Sequence, residues 1–132
     1  IAVLIIAASS CKKEDNSPAG TNNSSIAGTI TTGTWRISYF HEGRNDHTAN
    51  FNGYTFTFSS NGTMPAIHSS ATTTGTWRFD DSNVNEFHIS IGSNAPLSDL
   101  SRGWLITSQT GTEVRMKDDG GSSDEELHFT KI

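Results

Sequence analysis

From Thr32 onward, apolar and polar residues alternate in short runs that are separated by turn residues. A period of two is typical of β-strands that bury one face. Most connections between the runs are too short for the crossover that parallel strands need. The alternation predicts eight strands, at 33–41, 53–59, 63–69, 73–80, 86–91, 103–108, 112–117 and 125–131.

These strands predict an all-β domain, an eight-stranded antiparallel up-and-down barrel. Eight antiparallel strands close most simply in this way, and closure removes the exposed edges that promote aggregation. Helical structure is expected only as a short turn near 96–101, where Leu97 and Leu100 would plug one end.

One register of the predicted strands carries eighteen large apolar side chains, ten of them aromatic. An eight-stranded barrel is just wide enough for side chains to fill it or for one small ligand. A filled core is therefore expected, with at most a small pocket near one mouth. If a ligand binds there, the alternation predicts these contact residues: Tyr39, His41, Tyr54, Met64 and His68.

The N-terminal segment has a different character. Residues 1–8 are uniformly apolar, too few to span a bilayer but of the length of a signal-peptide core. Ala8-Ser9-Ser10-Cys11 then resembles a bacterial lipobox, and this resemblance implies cleavage before Cys11 and lipidation of its sulfur. Cys11 is the only cysteine, so no disulfide within the chain competes for it.

The residues after Cys11 bear on location. Lys12-Lys13-Glu14-Asp15 resembles the short signal that directs Bacteroidota lipoproteins to the outer face of the outer membrane. We expect a surface-exposed outer-membrane lipoprotein, with a periplasm-facing one as the alternative. Residues 16–27 are small and polar, which is typical of a flexible linker. The predicted organisation is a signal-peptide remnant (1–10), a lipidated tether (11–31) and a barrel (32–132).

A family resemblance rests on the barrel residues. Gly33-Thr34-Trp35, at the start of the first strand, resembles the Gly-x-Trp signature of lipocalin (calycin) barrels. The segments 54–79, 104–106 and 127–129 are similar to lipocalin-like lipoproteins of Bacteroidota. The resemblance implies an eight-stranded barrel and, more weakly, a bound lipophilic ligand. The stretch 32–132 is shorter than a full lipocalin.

Other chemistry is sparse. The net charge of −5 argues against nucleic-acid binding, which needs a basic face. The five histidines lack His-x-His or His-x₃-His spacing, so no metal site is expected. The acidic stretch 118–126 is interpreted as a solvated hairpin tip. Hydrolase, phosphate-loop and dinucleotide motifs are missing, which predicts a protein that is not an enzyme and needs no cofactor.

Together these patterns predict a lipid-anchored cell-envelope lipoprotein that binds a small apolar ligand in a lipocalin-like barrel. The alternative is a filled-core scaffold or surface-interaction module, with residues 41–52 and 91–102 against a protein partner. In either case the predicted contact with the membrane is the lipid on Cys11, and the protein partner is undetermined.

Overall fold

The structure is a computed structural model and describes residues 23–80, 85–120 and 124–132. The predictions for Cys11, for the lipobox-like residues 8–11 and for the segment 1–22 lie outside the described residues, as do residues 81–84 and 121–123.

Strands dominate the described residues. Their bounds are β1 Trp35–Glu42, β2 Asn45–Asp46, β3 Tyr54–Phe56, β4 Thr63–His68, β5 Ala71–Phe79, β6 Glu86–Ser90, β7 Arg102–Gln109, β8 Glu113–Asp118 and β9 Glu125–Lys131. The helical elements are α1 Asn23–Ile30 and two 3₁₀ helices, Thr48–Phe51 and Leu97–Leu100.

The strands close into a barrel. Neighbours pair antiparallel in the order β1-β3-β4-β5-β6-β7-β8-β9, and β1 pairs with β9 to complete the circle. The two-residue strand β2 only folds back on the end of β1. The predicted eight-stranded antiparallel up-and-down barrel is therefore confirmed, and the predicted turn near 96–101 coincides with the second 3₁₀ helix.

Apolar side chains fill the barrel. Phe58 packs edge to face on Trp77, Phe87 and Phe129, with ring centroids 5.2–6.0 Å apart. Such T-shaped contacts add to the large area that aromatic rings bury. The core residues are Ile26, Ile30, Trp35, Ile37, Phe40, Phe51, Phe56, Phe58, Met64, Ala66, Trp77, Phe87, Ile89, Ile91, Leu97, Leu100, Trp104, Ile106, Val114, Met116, Leu127 and Phe129.

Helix α1 closes one end of the barrel, which we call the α1 end. Ile26 and Ile30 are fully buried, and the Trp35 indole donates a hydrogen bond to the Ile30 carbonyl oxygen at 2.9 Å. Gln109 of β7 donates to the Thr29 hydroxyl, also at 2.9 Å. The predicted tether, residues 11–31, therefore includes Ile26 and Ile30, which contribute to the core of the barrel.

The two 3₁₀ helices close the opposite end, called here the 3₁₀ end. Phe51 packs edge to face on Phe40 at 5.4 Å. Leu97 and Leu100 are buried, and the Trp104 indole donates to the Leu100 carbonyl oxygen at 3.0 Å. Both ends of the barrel are thus covered by helical segments that insert apolar side chains.

Candidate functional site

The five residues predicted to line a pocket are divided among three places. Met64 is fully buried in the core. Tyr54 and His68 are paired in register at the 3₁₀ end, with ring centroids 4.6 Å apart. Tyr39 and His41 lie on the outer face of β1, where Tyr39 stacks between His41 at 4.1 Å and His128 at 4.4 Å. The structure therefore does not bring the five residues together.

A β-bulge explains the position of Tyr39 and His41. The pairing of β1 with β9 shifts register between Ile37 and Tyr39, so Tyr39 lies opposite the outward-facing His128. Simple alternation placed Tyr39 inside, but one extra residue in a strand reverses every later side chain. Phe40 is consequently the inward residue and is fully buried.

The depressions on the surface lie outside the packed core. The one nearest to the predicted pocket has a volume of about 320 Å³ at the 3₁₀ end, and we call it the rim cleft. It is lined by Tyr54, Thr73 and residues 92–97. A neighbouring depression of about 310 Å³ is lined by Asn50, Ala95 and Pro96, so it joins the two loops that carry the 3₁₀ helices. These volumes are at the lower limit of the range for small-molecule sites.

Charged side chains also gather near the 3₁₀ end. Glu125 is only 7% exposed and forms an ion pair with Arg102, which also lies 3.9 Å from an oxygen of Asp118. The Arg102 guanidinium lies 5.4 Å from the centre of the Trp104 ring. A buried carboxylate requires such a partner, because removal from water penalises its charge. Arg102 therefore stabilises the start of β9.

A second polar group, the β6 cluster, consists of Asp80, Glu86, His88 and Asp119. The His88 Nε2 atom lies 3.2 Å from an oxygen of Asp80 and 3.2 Å from an oxygen of Glu86. A hydrogen bond between Glu86 and Asp119, partial burial and the nearby negative charge of Asp119 raise the pKa of Glu86. Asp80, Glu86 and His88 are each half-buried, whereas Asp119 is exposed.

Three of the other histidines each pair with a single carboxylate, and the fourth, His68, packs against Tyr54. His47 lies 2.9 Å from Glu42 and His128 lies 2.5 Å from Glu126. His41 lies 3.5 Å from Asp46, whose pKa is lowered chiefly by hydrogen bonds from Thr48. Each of these pairs has one histidine and one carboxylate. Among the described residues, the β6 cluster is the group in which three potential metal ligands lie close together.

Histidine spacing does not reveal the β6 cluster, because it contains a single histidine. The informative pattern is Glu86-Phe87-His88, where a carboxylate and an imidazole lie two positions apart on one face of a strand. Asp80 and Asp119 join them through strand pairing, which local spacing does not reveal.

Among the described residues, no helix is both long and apolar enough to span a membrane.

No family model matches the chain, and no curated protein does either. Solved structures from Bacteroides species do share the fold. A DUF4847 family protein from Bacteroides vulgatus has a TM-score of 0.58 at 15% identity, over 80% of this chain and 96% of its own. A lipocalin-like protein from Bacteroides uniformis has a TM-score of 0.56 at 13% identity, over 78% and 99%. An uncharacterized protein from Bacteroides eggerthii has the same TM-score and identity, over 77% and 99%.

The chain therefore has a lipocalin-like barrel fold. At 13–15% identity this similarity extends to architecture alone. Proteins that share a barrel can differ in what they bind, so function must be argued from the residues of this chain.

Proposed function

We propose that the protein is a lipid-anchored, non-enzymatic module of the cell envelope that binds through the 3₁₀ end of its barrel. The observation that carries this proposal is the packed interior. Side chains occupy the space that a lipocalin-type ligand would need, and helical segments cover both ends. A ligand or partner would therefore bind to the outer surface of the barrel.

The 3₁₀ end is the favoured binding surface because two loops meet there. The two loops are residues 43–53 and 91–101. Their apolar side chains Phe51, Leu97 and Leu100 are buried in the barrel, so the outer surface of the loops is mainly polar. Asn50 and Pro96 face the depression that joins the loops. A surface built from loops on a rigid scaffold is a common arrangement for recognition.

Lipid attachment at Cys11 is part of the proposal and is supported by the lipobox-like sequence. Several acyl chains anchor a protein durably, whereas one chain binds membranes only marginally. Growth with an alkyne fatty acid should label the wild-type protein, and Cys11→Ser should abolish the label. Equal labelling of the two proteins would refute lipidation. Protease treatment of intact cells then distinguishes the proposed surface display, in which the protein is degraded, from a periplasm-facing location.

A photo-crosslinking amino acid tests the binding surface. Placed at Asn50, on the 3₁₀ end, it should form a specific adduct in intact cells. The matched control is position Gly111, in the β7–β8 connection at the α1 end, which has open space around it. Adducts from position 111 but not from position 50 would contradict the proposal.

A small ligand in the rim cleft is the second candidate function. The rings of Tyr54 and His68 lie at this end of the barrel, and the cleft is also lined by polar residues, Thr73, Ser93 and Asn94, and by apolar ones at 95–97. This mixture suits an amphipathic molecule better than a fully apolar one. Native mass spectrometry of protein from its own membranes would detect a retained molecule. Loss of that molecule in Tyr54→Ala would support the rim cleft as its site.

A further inference from the structure

The β6 cluster combines metal-binding groups from two neighbouring strands. Asp80 directly follows β5, and its backbone N–H donates to the Glu86 carbonyl oxygen at 2.9 Å. Glu86 and His88 are two residues apart on β6 and share its outer face. One donor atom from each of the three side chains lies within 4.8 Å of the other two.

We propose that Asp80, Glu86 and His88 bind a divalent transition-metal ion of the zinc type. Zinc binds imidazole nitrogen and carboxylate oxygen at about 2.0–2.2 Å, which places neighbouring ligand atoms of a tetrahedron about 3.3 Å apart. The His88 nitrogen already lies 3.2 Å from an oxygen of each carboxylate. Two of the three separations between ligand atoms are therefore already those of a tetrahedral zinc site, and the third, between the carboxylate oxygens, is within 4.8 Å.

The type of ion follows from the donor atoms. Calcium takes about six to eight oxygen ligands, and magnesium retains several waters. Imidazole instead favours zinc and its transition-metal neighbours, and carboxylates complete many zinc sites. One imidazole and two carboxylates leave one position of a tetrahedron open, for water or for a group from another molecule.

Asp119, from the next strands of the sheet, lies beside Glu86. Gly103, which pairs with His88 in register, provides the space in which these two carboxyl groups meet. A Cβ atom on Gly103 would lie 2.5 Å from Asp119 Oδ2 and 3.0 Å from Glu86 Oε2. The proposed ligands are therefore the three residues Asp80, Glu86 and His88, and Asp119 is a neighbouring acidic group.

Calorimetric titration with zinc chloride tests the site. The protein is the full chain in detergent, without an affinity tag, and Cys11→Ser in every sample removes the competing thiol. We expect one zinc ion per chain. His88→Gln and Glu86→Gln should each weaken binding at least about tenfold, because each removes one of three ligands.

The matched control is His47→Gln, because His47 also pairs with a carboxylate, at 2.9 Å, but outside the β6 cluster. This variant should bind zinc as wild type does. Cobalt provides a second measurement, since its visible spectrum reports tetrahedral coordination and should be lost in His88→Gln. Circular dichroism of each variant verifies that the barrel is folded.

Three results would overturn the proposal. They are no zinc binding by the wild-type chain, equal weakening by His47→Gln and His88→Gln, or tighter binding of calcium than of zinc. Either of the first two results would leave the β6 cluster as an ion-pair network alone, and the third would make it an oxygen-ligand cation site instead. The inference does not depend on lipidation or on a partner at the 3₁₀ end.

Discussion

At the scale of single residues, two glycines with the same sequence context have different roles. Gly33 and Gly75 each precede Thr-Trp-Arg, 42 positions apart. Gly33 has a φ of +82°, a conformation that side chains with a Cβ rarely adopt. Gly75 instead lies where two strands approach closely, since a Cβ there would be 2.5 Å from the Ile91 Cβ. A repeated motif can thus meet separate physical requirements.

Gly75→Ala is expected to destabilise the barrel. Because the Cβ would contact both Ile91 and the Ser90 carbonyl oxygen at 2.5 Å, the strands must separate. Overpacking of this kind costs about 1–3 kcal/mol of unfolding free energy. Denaturant unfolding measures the change. Gly111→Ala is the control, since no atom lies within 4 Å of the added carbon. Equal stability of the two variants would contradict the close approach at Gly75.

A pH dependence is predicted at Glu86, whose pKa is raised above 4.5, chiefly by its hydrogen bond with Asp119. A carboxyl group with a higher pKa in the folded state binds its proton more tightly there. Its contribution to stability therefore increases as the pH falls through that pKa and is lost as the pH rises. Glu86→Gln replaces the ionised carboxyl group with a neutral amide, so in EDTA it should melt at a higher temperature than wild type at pH 7.

The difference between these two melting temperatures should shrink on acidification, because the wild-type carboxyl group then becomes neutral. Thermal unfolding across the pH range measures it. Glu113→Gln is the control, since Glu113 lies 3.0 Å from the exposed Arg115 and lacks the carboxyl neighbours of Glu86. A Glu86→Gln variant that melts below wild type at pH 7 would contradict the raised pKa of Glu86.

At the scale of elements, the bulge in β1 decides which aromatic residue supports the core. Phe40→Ala should lower the unfolding free energy by about 3–5 kcal/mol, because it empties a fully buried site. Tyr39→Ala should cost less, since it removes mainly a stack on the outer face, and aromatic pairs contribute about 0.5–1.5 kcal/mol. Denaturant unfolding ranks the two variants. The opposite order would support unbroken alternation and contradict the bulge.

Helix α1 yields an equally direct prediction. Ile26→Ala should cost about 2–5 kcal/mol, because Ile26 is fully buried at the α1 end. The control is Ile132→Ala, at a residue 69% exposed, with an expected change within about 0.5 kcal/mol. If Ile26→Ala left the unfolding free energy unchanged, residues 23–30 would be part of the tether, as the sequence predicted.

The success of the sequence prediction differed between elements for physical reasons. Alternation located all eight barrel strands, because each buries one face. Alternation assigned the wrong face to the β1 residues after Ile37, because the β-bulge reverses the side-chain direction there and no turn residue marks it. Helix α1 has eight residues, too few to be stable alone, so its formation depends on docking that local composition does not reveal. The β6 cluster could not be predicted either, because pairing between strands brings its residues together.

At the scale of the whole molecule, the barrel is a scaffold with two covered ends. Of the residues predicted to line a pocket near one mouth, Met64 lies in the core, Tyr39 lies on the outer face, and Tyr54 lines the rim cleft. From the sequence, a filled core and a ligand pocket were both possible. Alternation shows which side chains face inward but does not show how much space remains between them. Packing geometry supports the filled core.

Fluorescence titration with an apolar naphthylamine probe tests the filled interior most directly. We predict no saturable binding by wild type, and binding by Leu127→Ala, because truncation of a fully buried leucine opens an apolar cavity that can hold a small aromatic molecule. Tyr54→Ala separates binding in the rim cleft from binding inside the barrel. One-to-one binding by wild type that persists in Tyr54→Ala would contradict the account.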